Sequence, residues 1–163
     1  MEQKSKMTDK IHVKHRATAR VLLINEHNQI FMLKTHFDPE VGLPPRWLVP
    51  GGGIDESEET ISAAIRELFE ETGLVVSAAE LGDPVLVAKG SWNWADGINF
   101  HTYTDTIYEL KVQNFKLDTS GFTQEELRDV LEYRWWNLSE LLTSEELVAP
   151  HELIGWLKSR FKL

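Results

Sequence analysis

One stretch, from Gly51 to Leu74, constrains the rest of the chain: GGGIDESEETISAAIRELFEETGL. Ile61, Ala64, Ile65 and Leu68 fall at i, i+3, i+4 and i+7, an apolar stripe of helical period. Asp55 or Ser57 is placed to cap the helix start, with Glu58 and Glu59 in the first turn. Gly73 is placed to end it in a left-handed conformation. Each residue turns a helix by about 100°, so Glu67, Glu70 and Glu71 share one face, largely away from the apolar stripe. Three carboxylates on about one turn repel each other, and the negative end of the helix dipole adds to the cost. A divalent cation removes that repulsion and gains the hard oxygen ligands that Mg²⁺ and Mn²⁺ prefer. Ahead of the helix, Gly51, Gly52 and Gly53 let backbone approach a metal or a phosphate closely. Arg66, set among acids, can pair with Glu58 and hold the loop in shape.

An amphipathic helix with outward glutamates is ordinarily a solvated helix and nothing more. The glycine run and the acid-paired arginine set this one apart. Gly52, Glu58, Arg66, Glu67, Leu68, Glu70, Glu71, Gly73 and Leu74 together spell G-x5-E-x7-R-E-L-x-E-E-x-G-L. That pattern resembles the Nudix box, with every defining position filled. The resemblance is strong over residues 51–74 and extends through the strand order, and a W-x-L-x-E-L-like segment at Trp136 to Leu141, to about residues 15–150.

The resemblance implies hydrolysis of the pyrophosphate bond of a nucleoside diphosphate linked to another moiety, by attack of a metal-activated water. Mg²⁺ would be the cofactor, with Mn²⁺ as a substitute. Carried over residue by residue, Glu70 and Glu71 become the main metal ligands, Glu67 a ligand or the general base, and the Gly51 carbonyl a further ligand. Arg66 joins them in the catalytic motif, while Gly52, Glu58 and Gly73 are structural. Some family members take the base from a loop beyond the box, which makes Glu125, Glu126 and Glu132 candidates for a distal base or ligand. Two other readings keep the same box: a catalytically silent nucleotide-binding or regulatory domain, and a pyrophosphohydrolase of RNA 5′ ends. A silent domain usually loses a box glutamate or the arginine, and none is lost here. Dimers are common among relatives, so a homodimer stays open.

With 163 residues the chain is long enough for one domain to bury a sizeable core. It has no cysteine, so nothing points to disulfides or a zinc-thiolate site. No apolar run approaches the roughly 18 residues of a membrane span, and the start has no hydrophobic signal core, which makes the cytoplasm the expected location. A net charge of −9 argues against a general nucleic-acid surface. A small nucleotide-type substrate is the expected partner, with metal ions and a few local cations offsetting the repulsion between phosphates and protein.

Residues 1–12 are expected to be a loose lead-in and 13–163 a single domain. Thr18 to Asn25 and Gln29 to Lys34 flank Glu26-His27-Asn28 as a hairpin. His36 to Pro45 is expected to be a surface loop, and Trp47 to Val49 a short strand. A strand is also expected to start over Leu74 to Ser77, others to run over Pro84 to Lys89 and Tyr133 to Trp136, and Asn99 to Val112 to make one long strand or a bent pair. Trp135 and Trp136 would then point to opposite faces, one of them core. Gly90 to Trp94 looks like a turn carrying two exposed indoles. Gln124 to Leu131 makes a short helix, Ser139 can cap another, and the last helix begins near Pro150 with a stripe of Leu153, Trp156, Leu157 and Phe161. Strands with a central and a terminal helix predict an α/β fold, a mixed β-sheet packed between helices. The resemblance implies the same α/β/α sandwich.

Trp92 and Trp94 are candidates for stacking on a nucleobase, or else they cap the core. Arg46, Lys34 and Lys89 can each meet a phosphate, although a lone basic residue is more often solvated. His12 and His15 lie close together but lack a partnering motif, so no histidine is assigned to metal. The marks of ADP-sugar and dinucleoside polyphosphate subfamilies are absent, since Gly90, Ser91 and Trp92 hold those places.

Overall fold

A computed structural model describes residues 9–36, 39–117 and 119–163. The lead-in through Thr8, and Phe37, Asp38 and Asp118 in two expected loops, lie outside the described residues. The described strands are β1 (Ile11–Ile24), β2 (Gln29–Thr35), β3 (Arg46–Leu48), β4 (Gly51–Gly53), β5 (Leu86–Asn93), β6 (Asn99–Lys111) and β7 (Val130–Asn137). They form one sheet in the order β3-β2-β1-β6-β5, with β4 added to β1 and β7 to β2. The β1–β6 pair is parallel and the others are antiparallel, which makes the sheet mixed.

Helices cover both faces. Ala19, Val21 and Leu23 of β1 pack with Ala63, Ala64 and Leu68 of α1 (Thr60–Thr72) and with Leu81 of α2 (Ala78–Leu81). The residues between them in β1, Leu22 and Ile24, face the other way. They join Leu138 and Leu141 of α4 (Leu138–Thr143) and Leu153 and Leu157 of α5 (Glu152–Phe161). Two covered faces explain why this half of β1 is an unbroken apolar run rather than an alternating one. The fold is the α/β/α sandwich. A further helix, α3 (Gln124–Asp129), precedes β7. Among the described residues, no helix is long and apolar enough to cross a membrane. Trp135 and Trp136 divide as period two requires. Trp136 meets Trp47 edge-on at 5.2 Å on the α5 side, and Trp135 packs against Phe31 and Phe115, each at 5.3 Å, on the α1 side.

Several boundaries differ from expectation, each for a local reason. β1 starts at Ile11, inside the stretch expected to be loose, because Asn99 to Thr104 of β6 give its exposed half a parallel partner. Gly90 to Asn93 is strand rather than turn, since it pairs with Phe100 to Tyr103. The reversal falls just after it, where the Asp96 carboxylate accepts the Ile98 and Asn99 amides. Leu74 to Ser77 forms no strand. Ser77 instead caps α2 in a reciprocal box with Glu80. The central helix begins at Thr60 with Glu59 at its cap position, so neither Asp55 nor Ser57 caps it and Glu58 and Glu59 are not in its first turn. Glu58 is held outside the helix by Arg66 and by the Asp55 amide. Gly73 ends the helix at φ 77°, as its position predicts. Asn137 rather than Ser139 sits at the cap of α4, and α5 starts at Glu152, two residues beyond Pro150.

Candidate functional site

The three glycines are a strand, not a free loop. β4 pairs with Thr18 to Arg20 and so lies between β1 and the glutamates of α1. Gly51 adopts φ +152°, and a Cβ there would strike the Ala19 carbonyl oxygen and lie 2.5 Å from Arg20 Cγ. A Cβ on Gly52 would lie 2.6 Å from the Glu67 carboxyl group. Glycine is therefore required twice, once for backbone conformation and once so that a carboxylate can lie flat against β4. Gly53 has open space around its Cα.

Arg66 locks this arrangement. Its Nε and Nη2 donate to the two oxygens of Glu58, each at 2.9 Å, a bidentate pair of the strong kind. Nη2 also donates to the Gly53 carbonyl at 3.0 Å, and Nη1 to Glu67 at 2.9 Å. Those hydrogen bonds pull the Glu58 carboxyl group down to about 2 and push the guanidinium further up from its already high value.

Glu67 and Glu71 are both buried, contrary to the outward face expected for them. Burial raises the proton affinity of Glu67 above the ordinary carboxylate range, against the opposing pull of Arg66. Burial raises Glu71 further, although Arg20 lies near and Glu71 Oε2 accepts the Gly51 amide at 3.1 Å. One ligand oxygen each from Glu67, Glu70 and Glu126 lies within 4.8 Å of the others. Carboxylates gathered so closely suit a hard divalent cation, whose bonds to oxygen are about 2.0–2.1 Å for Mg²⁺. The donor set fits the ion expected from the sequence.

Glu126 is thus the distal candidate that reaches the box. α3 delivers it, capped by a reciprocal Thr123–Glu126 box. Gly121 permits the approach, because a Cβ there would come within 3.0 Å of the Glu70 carbonyl oxygen. Glu125 faces a neighbouring cleft, and Glu132 is exposed on β7 opposite Lys34 in register. Glu71, read from the sequence as a main ligand, lies outside the group of three and is held on the Gly51 amide.

The cleft beside the carboxylates has a volume of about 1080 Å³. Its floor is the sheet face formed by Lys14, Arg16, Thr18 and Arg20 of β1 and by His101, Tyr103 and Asp105 of β6. None of these seven was singled out from the sequence for the site. The signal was present as alternation in KHRATAR, but β6, which completes the floor, is some 90 positions away. Thr18 donates to Asp105 at 2.5 Å, and Tyr103 donates to Glu152 of α5 at 2.8 Å.

Arg46 and Trp92 also line the cleft, with the guanidinium carbon 3.9 Å from the indole centroid. Trp92 packs against His101 and, edge-on, against Tyr103. Trp94 donates from Nε1 to His101 Nδ1 at 3.2 Å, which leaves the ring proton of a neutral His101 on Nε2. Burial, and then the cations Arg16, Lys14 and Arg46, lower the proton affinity of His101 below its ordinary value. Both indoles are therefore engaged side chains of a strand and its turn, not free ones. Lys34 pairs with Glu146 at 3.2 Å, and Lys89 points away from the cleft.

The NUDIX domain family model matches residues 14–157. The chain belongs to that family. Among curated NUDIX relatives it is 33% identical over 110 residues to Nudix hydrolase 25 of Arabidopsis thaliana, covering 61% of this chain and 58% of that one. It is 38% identical over 72 residues to an RNA pyrophosphohydrolase of Cereibacter sphaeroides, covering 44% of this chain and 42% of that one. The chain thus spans about half the length of these relatives. The MutT protein of Methanosarcina mazei has the same fold, with a TM-score of 0.67 at 19% identity over 94% of this chain and 99% of that one.

Proposed function

We propose that this NUDIX domain is a Mg²⁺-dependent hydrolase of the pyrophosphate bond in a nucleoside diphosphate linked to another moiety. The observation that carries this reading is the Glu67, Glu70 and Glu126 group lying against the glycine strand, beside a cation-lined cleft. A divalent cation bound there would neutralise phosphate charge and polarise the phosphorus being attacked. Glu70 and Glu126 would hold the ion from two elements. Glu67, whose proton affinity burial has raised, accepts the proton of the attacking water. Water oxygen bonds to phosphorus as the bridging P–O bond breaks, and the leaving phosphate departs with that electron pair. Arg66 keeps Glu58, Gly53 and Glu67 in register and does not itself face the cleft. Trp92 and Arg46, which pack on each other in the cleft wall, are placed to meet the part of the substrate beyond the pyrophosphate.

All four box glutamates and Arg66 are in place, which favours a hydrolase over a silent nucleotide-binding domain. An RNA 5′ end is the second reading, supported by the cations of the cleft and by the names of relatives. A phosphate-release screen with Mg²⁺ and Mn²⁺ tests the assignment across nucleoside triphosphates, ADP-ribose, ADP-sugars, diadenosine polyphosphates and capped RNA. The expected result is metal-dependent release that falls by several powers of ten in Glu70→Gln, an isosteric change that removes only charge. Near-normal turnover in that variant, or silence of the native chain with both metals, would overturn the reading.

A further inference from the structure

The protein carries a net charge of −9, yet β1, one of the two strands across the cleft floor, is cationic at three of the four positions that face the cleft. Lys14, Arg16 and Arg20 share that face, with Thr18 between them. Among the described residues the whole cleft has five Lys or Arg side chains against three carboxylates, so the acidic balance of the chain lies elsewhere.

The row has a direction. At its inner end Arg20 lies against Gly51 and acts electrostatically on Glu71, so it abuts the carboxylate site. Arg20 is 9% exposed, and its Nε has no hydrogen-bond partner, although Nη1 donates to the Val49 carbonyl at 3.2 Å. From there the row runs outward to Arg16 and Lys14, both exposed. Alternate residues on a strand are about 6.7 Å apart, so Arg20 to Lys14 covers about 20 Å. Among the described residues, neither Lys14 nor Arg16 has a carboxylate at ion-pair distance. Arg16 and Lys14 therefore stand about 13 and 20 Å along the strand from the end of the row that abuts the glutamates.

We propose that Lys14 and Arg16 form a second anion subsite for phosphates beyond the pyrophosphate that is cut. The substrate class is then a multiply phosphorylated nucleotide rather than a simple nucleoside diphosphate conjugate. This rests on the hydrolase reading above. Parallel pairing to β6 is what holds the row flat: Lys14 is level with His101 and Arg16 with Tyr103, both buried, so the cationic side chains have a rigid floor.

The test compares diadenosine tetraphosphate, a 5′-triphosphorylated trinucleotide and ADP-ribose as substrates with Mg²⁺. The enzymes are the native chain, the Lys14→Ala/Arg16→Ala double variant and Lys89→Ala, whose side chain points away from the cleft. The native enzyme is expected to favour one or both multiply phosphorylated substrates over ADP-ribose by about tenfold or more in kcat/KM, the scale of one charge-assisted contact. In the double variant that preference collapses through KM with kcat held, and in the native enzyme it weakens as KCl is raised. Lys89→Ala keeps the preference. Whichever of the two favoured substrates is cut faster separates a dinucleotide from an RNA end as the source of the extra phosphates.

A native preference for ADP-ribose, or an unchanged ratio in the double variant, would overturn the subsite while leaving the hydrolase reading intact. Absence of hydrolysis with every substrate would instead sink the hydrolase reading. Calorimetric binding of inorganic tripolyphosphate with Mg²⁺ then decides the subsite, which stands if the double variant binds about tenfold more weakly and falls if the two proteins bind equally.

Discussion

Arg66 donates to Glu58, to Glu67 and to the Gly53 carbonyl, so a single guanidinium ties the loop, the helix and the glycine strand together. The Glu58 end of this arrangement has a pH signature. Hydrogen bonding to Arg66 holds Glu58 at about 2 in the folded protein, below its ordinary value of 4.5. A depressed carboxyl group contributes stability above the unfolded value, and that contribution is lost as pH falls through the folded one. Glu58→Gln is therefore expected to melt below the native protein at pH 7, with the gap closing between pH 4.5 and about 2. Thermal melts across that range check this, and a gap that stays constant would contradict it. The Arg66–Glu58 pair was legible in the sequence through the motif that joins them, although Arg66 also meets Asp55, Glu67 and Glu70. The burial of Glu67 and Glu71 was not, because a helical wheel records directions around the helix and not what β4 lays over them.

At the scale of elements, the site is the meeting of α1 with β4, and α3 closes it. The glycines of β4 make a graded series. Gly51→Ala puts a methyl group into the Ala19 carbonyl and the Arg20 backbone at a positive φ, and is expected to lower stability sharply. Gly52→Ala meets only the movable end of Glu67, at 2.6 Å. The fold is expected to survive that change while the carboxylate group spreads, so the rise in melting temperature on adding Mg²⁺ shrinks. Gly53→Ala points into open space and is expected to keep both stability and the Mg²⁺ response. Melting curves with and without Mg²⁺ order the three variants, and equal behaviour of Gly52→Ala and Gly53→Ala would refute the packing account. The sequence showed that glycines were needed ahead of the helix. It did not show that they form a strand, since a run of three glycines has no β-propensity of its own and is strand only because Thr18 to Arg20 pair with it.

Over the whole molecule, the sheet carries a core on each face. The carboxylate group belongs to the α1 side, whereas the α5 face carries both the cleft floor, where Tyr103 donates to Glu152, and a second core around Leu153 and Leu157. Leu153→Ala is expected to cost about 2–5 kcal/mol in urea unfolding. Metal-dependent activity below the transition should stay near native, because Leu153 packs opposite α1 and does not itself line the cleft. Loss of activity in a fully folded variant would show that the two faces are coupled. By itself the sequence determined the helix, its terminating glycine, the placement of Glu67, Glu70 and Glu71 on it and the apolar runs of β1 and β2, since each is a pattern within a few residues. The tertiary structure alone decided which distant acid joins the box, which face of β1 floors the cleft, and that Trp92 and Trp94 are engaged with His101. Those outcomes depend on β6 and α3 lying beside residues tens of positions away. Local spacing has no term for such pairings, and only the closed sheet sets them.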